Sequence, residues 1–265
     1  MRVRVSEESN YRSIFDNGFT LRMAIDINKP VKPLKHPEIL DWAIGTKCHG
    51  GCPYCYVSAL PTGTNFENVV DKIQDYYGNM ELNDRPYQIA IGGHSEPTLH
   101  PDFCEILKVT SELGIMPNYT TNGMHINQKI LDYTRQYSGG VAVSCHPHLE
   151  KCWKKAVQLY VDNGIRTCLH IIVGEPNTND KFWEIYDTQK GIEKFVALPY
   201  QAAGRATPID TQIEWGKFFQ EVERRQCNNI AFGALFYEYL QENPIIQKKC
   251  QISMYPPEMF SSFSL

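Results

Sequence analysis

The sequence predicts an α/β protein: a partial (β/α)6 barrel of parallel strands with helices outside and short N- and C-terminal extensions. Three observations predict it. Short apolar runs of strand length alternate with amphipathic runs of helix length from residue 39 to residue 240. The strand-like runs end in turn formers, as at Gly92-Gly93, Asn122-Gly123 and Gly174. The alternation gives about six units, which suits a barrel left open on one side rather than the closed eightfold form.

Residues 1–38 read as an N-terminal extension with one strand around 19–27, where TLRMAID places apolar residues at alternate positions; Pro30, Pro33 and Pro37 then break regular structure. Strands are expected at 39–44, 87–91, 115–120, 141–145, 165–173 and 194–198. Helices are expected between them. The first, 65–77, carries a stripe of Phe66, Val69, Val70, Ile73 and Tyr77. The second, 102–113, has Pro101 at its entrance and Gly114 as its stop. The others are 127–137, 149–163 (Trp153, Ala156, Val157, Tyr160 and Val161 inward), 180–189 and 211–225. A last strand at 230–235 and a short helix through Leu240 complete the 39–240 barrel, and 241–265 is left as a C-terminal cap segment. There is no internal repeat, low-complexity stretch or linker.

Of the 265 residues, 42% are apolar and 21% charged, as in ordinary globular proteins, and the formal charge is −4. That balance gives no electrostatic case for nucleic acid or an anionic membrane. No apolar run approaches the ~20 residues that span a bilayer, and the opening MRVRVSEESNYR lacks the apolar core of a secretory signal. Nine cysteines is an odd number, and six of them (Cys104, Cys145, Cys152, Cys168, Cys227, Cys250) are scattered singly. That is the usage of a reducing compartment, so a cytoplasmic location is expected.

The other three stand together in Cys48-His49-Gly50-Gly51-Cys52-Pro53-Tyr54-Cys55-Tyr56, right after the first barrel strand. Thiolates on a glycine-rich loop can converge on one metal centre. Three of them leave one iron of a four-iron cubane without a protein ligand, and an open iron can bind and cleave a molecule. A zinc knuckle would need a fourth ligand, and no second close Cys or His pair follows. The spacing Cys-x3-Cys-x2-Cys, with aromatic Tyr54 before the last cysteine, resembles the signature of the radical S-adenosylmethionine (radical SAM) enzymes. The resemblance implies a single [4Fe–4S] cluster on Cys48, Cys52 and Cys55, with SAM chelating the fourth iron. It also implies an external one-electron reductant such as flavodoxin or ferredoxin. The electron cleaves SAM to methionine and a 5′-deoxyadenosyl radical, which takes hydrogen from a substrate.

The second strand runs into Gly92-Gly93-His94-Ser95-Glu96-Pro97 and then Leu99-His100-Pro101, similar to the family's GGE stretch with Ser95 where glycine is common. The resemblance places Gly92, Gly93, Ser95 and Glu96 among the cofactor-binding residues, with Gly92, Gly93 and Glu96 at the amino group of the SAM methionine. It further implies Ser144 and Asn122 at the ribose, Gly174 against adenine and ribose, and Tyr54 with the backbone near Leu198 at the adenine. Cys145, at the end of the fourth strand, is a candidate catalytic hydrogen-atom donor. Strand alternation opposes this if Ser144 points inward, and a buried cysteine is commonly just packing. His94 and His146 are candidate substrate contacts, and Tyr200, Gln201 and Arg205 are candidates for the open mouth.

The leading expectation is therefore a radical SAM enzyme acting on an unidentified peptide, protein or small metabolite. The alternatives are a non-catalytic iron–sulfur or zinc module, an activase of a glycyl-radical partner, and a nucleic-acid lyase, the last disfavoured by the charge.

Overall fold

The computed structural model describes residues 1–175, 177–250 and 262–264. The chain opens with a three-stranded antiparallel sheet, β1 (Arg2–Ser6), β2 (Tyr11–Asp16) and β3 (Phe19–Ala24), in the order β1-β2-β3. Sequence patterning points to one strand in this stretch, and the difference has a physical cause. The buried face of the little sheet mixes polar groups with Phe15, which stacks on Tyr87: Tyr11, Ser13 and Arg22 all bond to the Glu38 carboxylate, which is fully buried. Arg2 and Arg4 lie over the Tyr87 ring and donate to main-chain carbonyls between residues 82 and 86. Charged residues facing inward erase the apolar–polar alternation that marks a strand.

The main sheet is entirely parallel. Its strands are β4 (Ile39–Trp42), β5 (Gln88–Ile91), β6 (Met116–Thr121), β7 (Gly140–Ser144), β8 (Thr167–Val173), β9 (Lys194–Pro199), β10 (Ile230–Phe232) and β11 (Ser262–Ser264). The order is β10-β9-β8-β7-β6-β5-β4-β11, so β4 to β9 are six sequential neighbours and the last two strands extend opposite edges. The sheet curls into a half-barrel with the helices around it, the partial barrel the alternation predicts. The helices are α1 (Val69–Gly78), α2 (Phe103–Glu112), α3 (Gln128–Tyr137), α4 (Glu150–Asp162), α5 (Thr178–Thr188), α6 (Gln212–Arg225), α7 (Phe236–Glu242) and α8 (Pro244–Lys249).

Strand alternation sets the two faces. In β8 every second residue is buried, and Leu169, Ile171 and Val173 join Ile89, Tyr119, Val143 and Phe195 in one core under the helices. The residues between them, Ala90, Thr120, Ser144, His170, Ile172 and Leu198, line the inner face. Helix α1 begins four residues later than its apolar stripe suggests. Residues 64–66 are instead held extended: Gly45 bridges Asn65, Phe66 N donates to Ile44 O, and Asn65 Nδ2 donates to Leu99 O. Residues 251–261 and 265 of the cap expected over 241–265 lie outside the described residues. Among the described residues, no helix is long and apolar enough to cross a membrane.

Candidate active site at the strand ends

A cavity of about 580 Å³ lies at the C-terminal ends of the parallel strands. Cys48, Cys52 and Cys55 all line it, on the loop that leaves β4. No disulfide joins any of the described cysteines, so the three thiols are free. Glycine makes the loop possible. Gly51 takes a positive φ of 64°, and a Cβ on Gly50 would lie 3.4 Å from Cys48 Sγ, 3.5 Å from Cys52 Sγ and 3.3 Å from Asn122 Nδ2. The missing side chain leaves a cradle between two thiols. Among the described residues no three His, Cys, Asp or Glu side chains converge on one ion. A four-iron cubane spreads its metal atoms apart, so its thiolates need not meet at a point. The donor set and the cradle fit such a cluster.

Second-layer contacts fix the loop. Gly50 N donates to Cys48 Sγ (3.3 Å), Asn122 Nδ2 approaches the same sulfur (3.7 Å), and His148 Nε2 bonds Gly50 O (2.8 Å). Burial pushes the Cys48 thiol up, and burial with the neighbouring Cys48 and Cys55 thiols pushes Cys52 up to about 11. Three thiolates packed in an apolar setting repel one another, and bound iron reverses that balance by compensating their charge.

Gly92 and Gly93 continue β5 at φ 152° and 81°, and Gly93 O accepts from Tyr56 Oη (3.0 Å). Glu96 is 3% exposed. Its Oε1 accepts from Thr98 N (3.3 Å), Thr98 Oγ1 (2.6 Å) and Thr121 Oγ1 (2.7 Å); its Oε2 accepts from Asn122 N (2.7 Å). Glu96 N in turn donates to Lys47 O (2.9 Å), so one residue ties the ends of β5 and β6 to the cysteine loop. Burial raises the Glu96 carboxyl above its ordinary range, and these donors offset only part of that rise. Ser95 Oγ is buried beside the cavity with no partner.

The other expected residues divide. Tyr54, Asn122, Ser144 and Leu198 line the cavity, and the Tyr54 hydroxyl bonds His146 Nδ1 (3.1 Å). Gly174 does not line it: its open side is filled by the Trp215 indole from α6, and Glu175 faces the cavity instead. Cys145 is 7% exposed, belongs to the apolar core as well as touching the cavity, and its Sγ lies 3.7 Å from Val143 O. Burial pushes its thiol far up, which keeps it protonated. His94, His146, Tyr200 and Gln201 line the cavity, but Arg205 turns away from it and bonds the cysteine loop. His170 faces inward from β8, with Lys181 and Thr178 also on the cavity wall. Burial lowers both His146 and His170 to about 4, with the neighbouring histidines adding to the effect at His146.

A half-barrel carrying an open three-cysteine loop at its strand ends defines a class of cofactor-dependent enzymes, and comparison with known proteins identifies which. The family model for the radical SAM superfamily matches residues 42–188, more than half of the chain, and the chain belongs to that superfamily. Among solved structures it is similar to Streptococcus suis SuiB bound to S-adenosylmethionine (TM-score 0.63, 16% identity, 79% of this chain and 54% of that one). It is similar also to SuiB bound to the precursor peptide SuiA (TM-score 0.66, 16% identity, 88% and 58%). A third is anSMEcpe with bound AdoMet (TM-score 0.57, 15% identity, 77% and 62%). The chain thus spans less than two thirds of the length of these neighbours. No curated protein matches it in sequence.

Proposed function

We propose that this enzyme cleaves S-adenosylmethionine reductively and takes a hydrogen atom from a substrate held in the half-barrel. Three free thiols on the rim of one cavity, with a side-chain-free cradle between two of them, carry this reading. Cys48, Cys52 and Cys55 would hold a [4Fe–4S] cluster, which when bound supplies one electron to the sulfonium of SAM and so gives the 5′-deoxyadenosyl radical. The protein's part is to hold and orient. Gly92 and Gly93 free their backbone to approach the methionine end of SAM. Glu96 keeps an acceptor position on Oε2 for an ammonium group. Asn122 and Ser144 offer polar contacts for the ribose, and Tyr54 with Leu198 an apolar wall for the adenine. His94, Tyr200 and Gln201 border the remaining space, where the substrate binds.

The experiment is anaerobic reconstitution with iron and sulfide. The expected result is a brown protein near four irons per chain, whose spectrum changes when SAM is added and which releases 5′-deoxyadenosine on reduction. Serine at any one of the three cysteines is expected to abolish both. A colourless protein binding one zinc and indifferent to SAM overturns the proposal. Peptides belong among the substrates tested first, since one neighbour of similar fold is bound to a precursor peptide.

A further inference from the structure

Arg205 follows β9, at the far side of the curled sheet from β4, yet its contacts are all with the cysteine loop. Its Nε and Nη2 donate to Cys52 O (3.2 and 3.1 Å), its Nη1 donates to Ala59 O (2.8 Å), and its main-chain N donates to Cys55 O (3.0 Å). The preceding Gly204 has φ 60°, and a Cβ there would collide with the carbonyls of Cys55 and Tyr56. Backbone therefore lies directly on backbone, and the guanidinium closes over it.

From this geometry we infer that Arg205 is a positioning residue for the cluster, clamping the segment that carries Cys52 and Cys55 and placing a fixed positive charge beside it. The inference rests on the reading that the three cysteines hold a [4Fe–4S] cluster. Two features support it. The planar guanidinium reaches Cys52 O and Ala59 O together through a rigid fork of donors, a geometry that the single point of an ammonium does not fix. A cation next to three thiolates also offsets their mutual repulsion and favours the reduced state, whose extra electron adds negative charge.

The test compares reconstituted wild-type, Arg205→Ala and Arg205→Lys chains by three measurements: thermal unfolding of the metal-free chain, the rate of iron loss to a chelator, and the midpoint potential of the cluster. Outer partners of metal ligands are typically worth about 10–100-fold in affinity, so both variants are expected to lose iron about tenfold faster than wild type. The alanine variant should also have a more negative potential, and the lysine variant should stay near wild type because it keeps the charge. A merely structural arginine would lower the unfolding temperature and leave the potential in place. If both variants retain iron at the wild-type rate, the clamp is refuted; if the alanine variant keeps the wild-type potential, the charge effect is refuted. Should the alanine chain fail to fold, the lysine chain decides alone: wild-type retention there refutes the clamp, and faster loss sustains it. A wild-type chain that takes up no iron refutes the cofactor reading itself, a result separate from any difference among variants.

Discussion

At the scale of single residues, the site depends as much on absent atoms as on present ones. Gly50 has no positive φ to protect, so alanine fits its backbone, but the added methyl would sit between Cys48 Sγ and Cys52 Sγ. Gly50→Ala is expected to unfold at nearly the wild-type temperature while taking up far less iron, as checked by thermal denaturation beside iron analysis. Glu96 shows the opposite case, a buried side chain that accepts four hydrogen bonds, three of them on Oε1. Glu96→Gln would turn an amide N–H₂ toward groups that themselves donate, and loss of charge-assisted bonds in a buried place costs about 2–3 kcal/mol. Urea unfolding of the metal-free chain measures this; a loss below about 0.5 kcal/mol would contradict the assigned network. That Cys48, Cys52, Cys55, Gly92 and Gly93 stand together at the strand ends could be read in sequence, because each is carried by a local spacing. The hydrogen bonds of Arg205, Asn122 and His148 to the cysteine loop could not. Their partners stand 74 to 153 residues away, and no local pattern encodes such a contact.

At the scale of elements, the strands of the half-barrel were legible because their outward faces are apolar at period two and their ends carry glycine. Boundaries moved where a loop residue found a better partner than a helix could give, as at Asn65. The inner face of β7 and β8 gives a pH prediction. His146 and His170 are held near pKa 4, below the ordinary 6.5, because burial disfavours their charged forms. The unfolded chain therefore binds these protons more readily than the folded one. The stabilisation is full above pH 6.5 and is lost as the pH falls toward 4. Each histidine should contribute roughly 3 kcal/mol to that loss. His170→Gln is expected to flatten the acid limb of the stability curve of the metal-free chain between those two pH values. A curve parallel to wild type would remove His170 as a cause.

At the scale of the whole molecule, the N-terminal sheet and the barrel are joined by a buried polar knot beside the stacked Phe15 and Tyr87 rings. Glu38 immediately precedes β4, and its carboxylate gathers Tyr11, Ser13 and Arg22 from β2 and β3. Removing one partner of a buried ion pair typically costs about 3–5 kcal/mol, so Glu38→Ala should destabilise the chain by that order. The loss should appear first as protease cleavage within residues 1–38, detectable by mass spectrometry. An inward-facing glutamate in a proline-rich approach gives no sequence signal of its own, which is why the sheet was not legible beforehand.

The contact between Gly204-Arg205 and the loop after β4 has a consequence for traffic. It links two banks of an arch that its hydrogen-bonded ladder leaves unjoined, because β4 and β9 stand five places apart in the sheet. A visitor too large for the doorway cannot enter by spreading those banks unless four bonds part first. The lintel stays fixed, and admission falls to the side chains that hang beneath it.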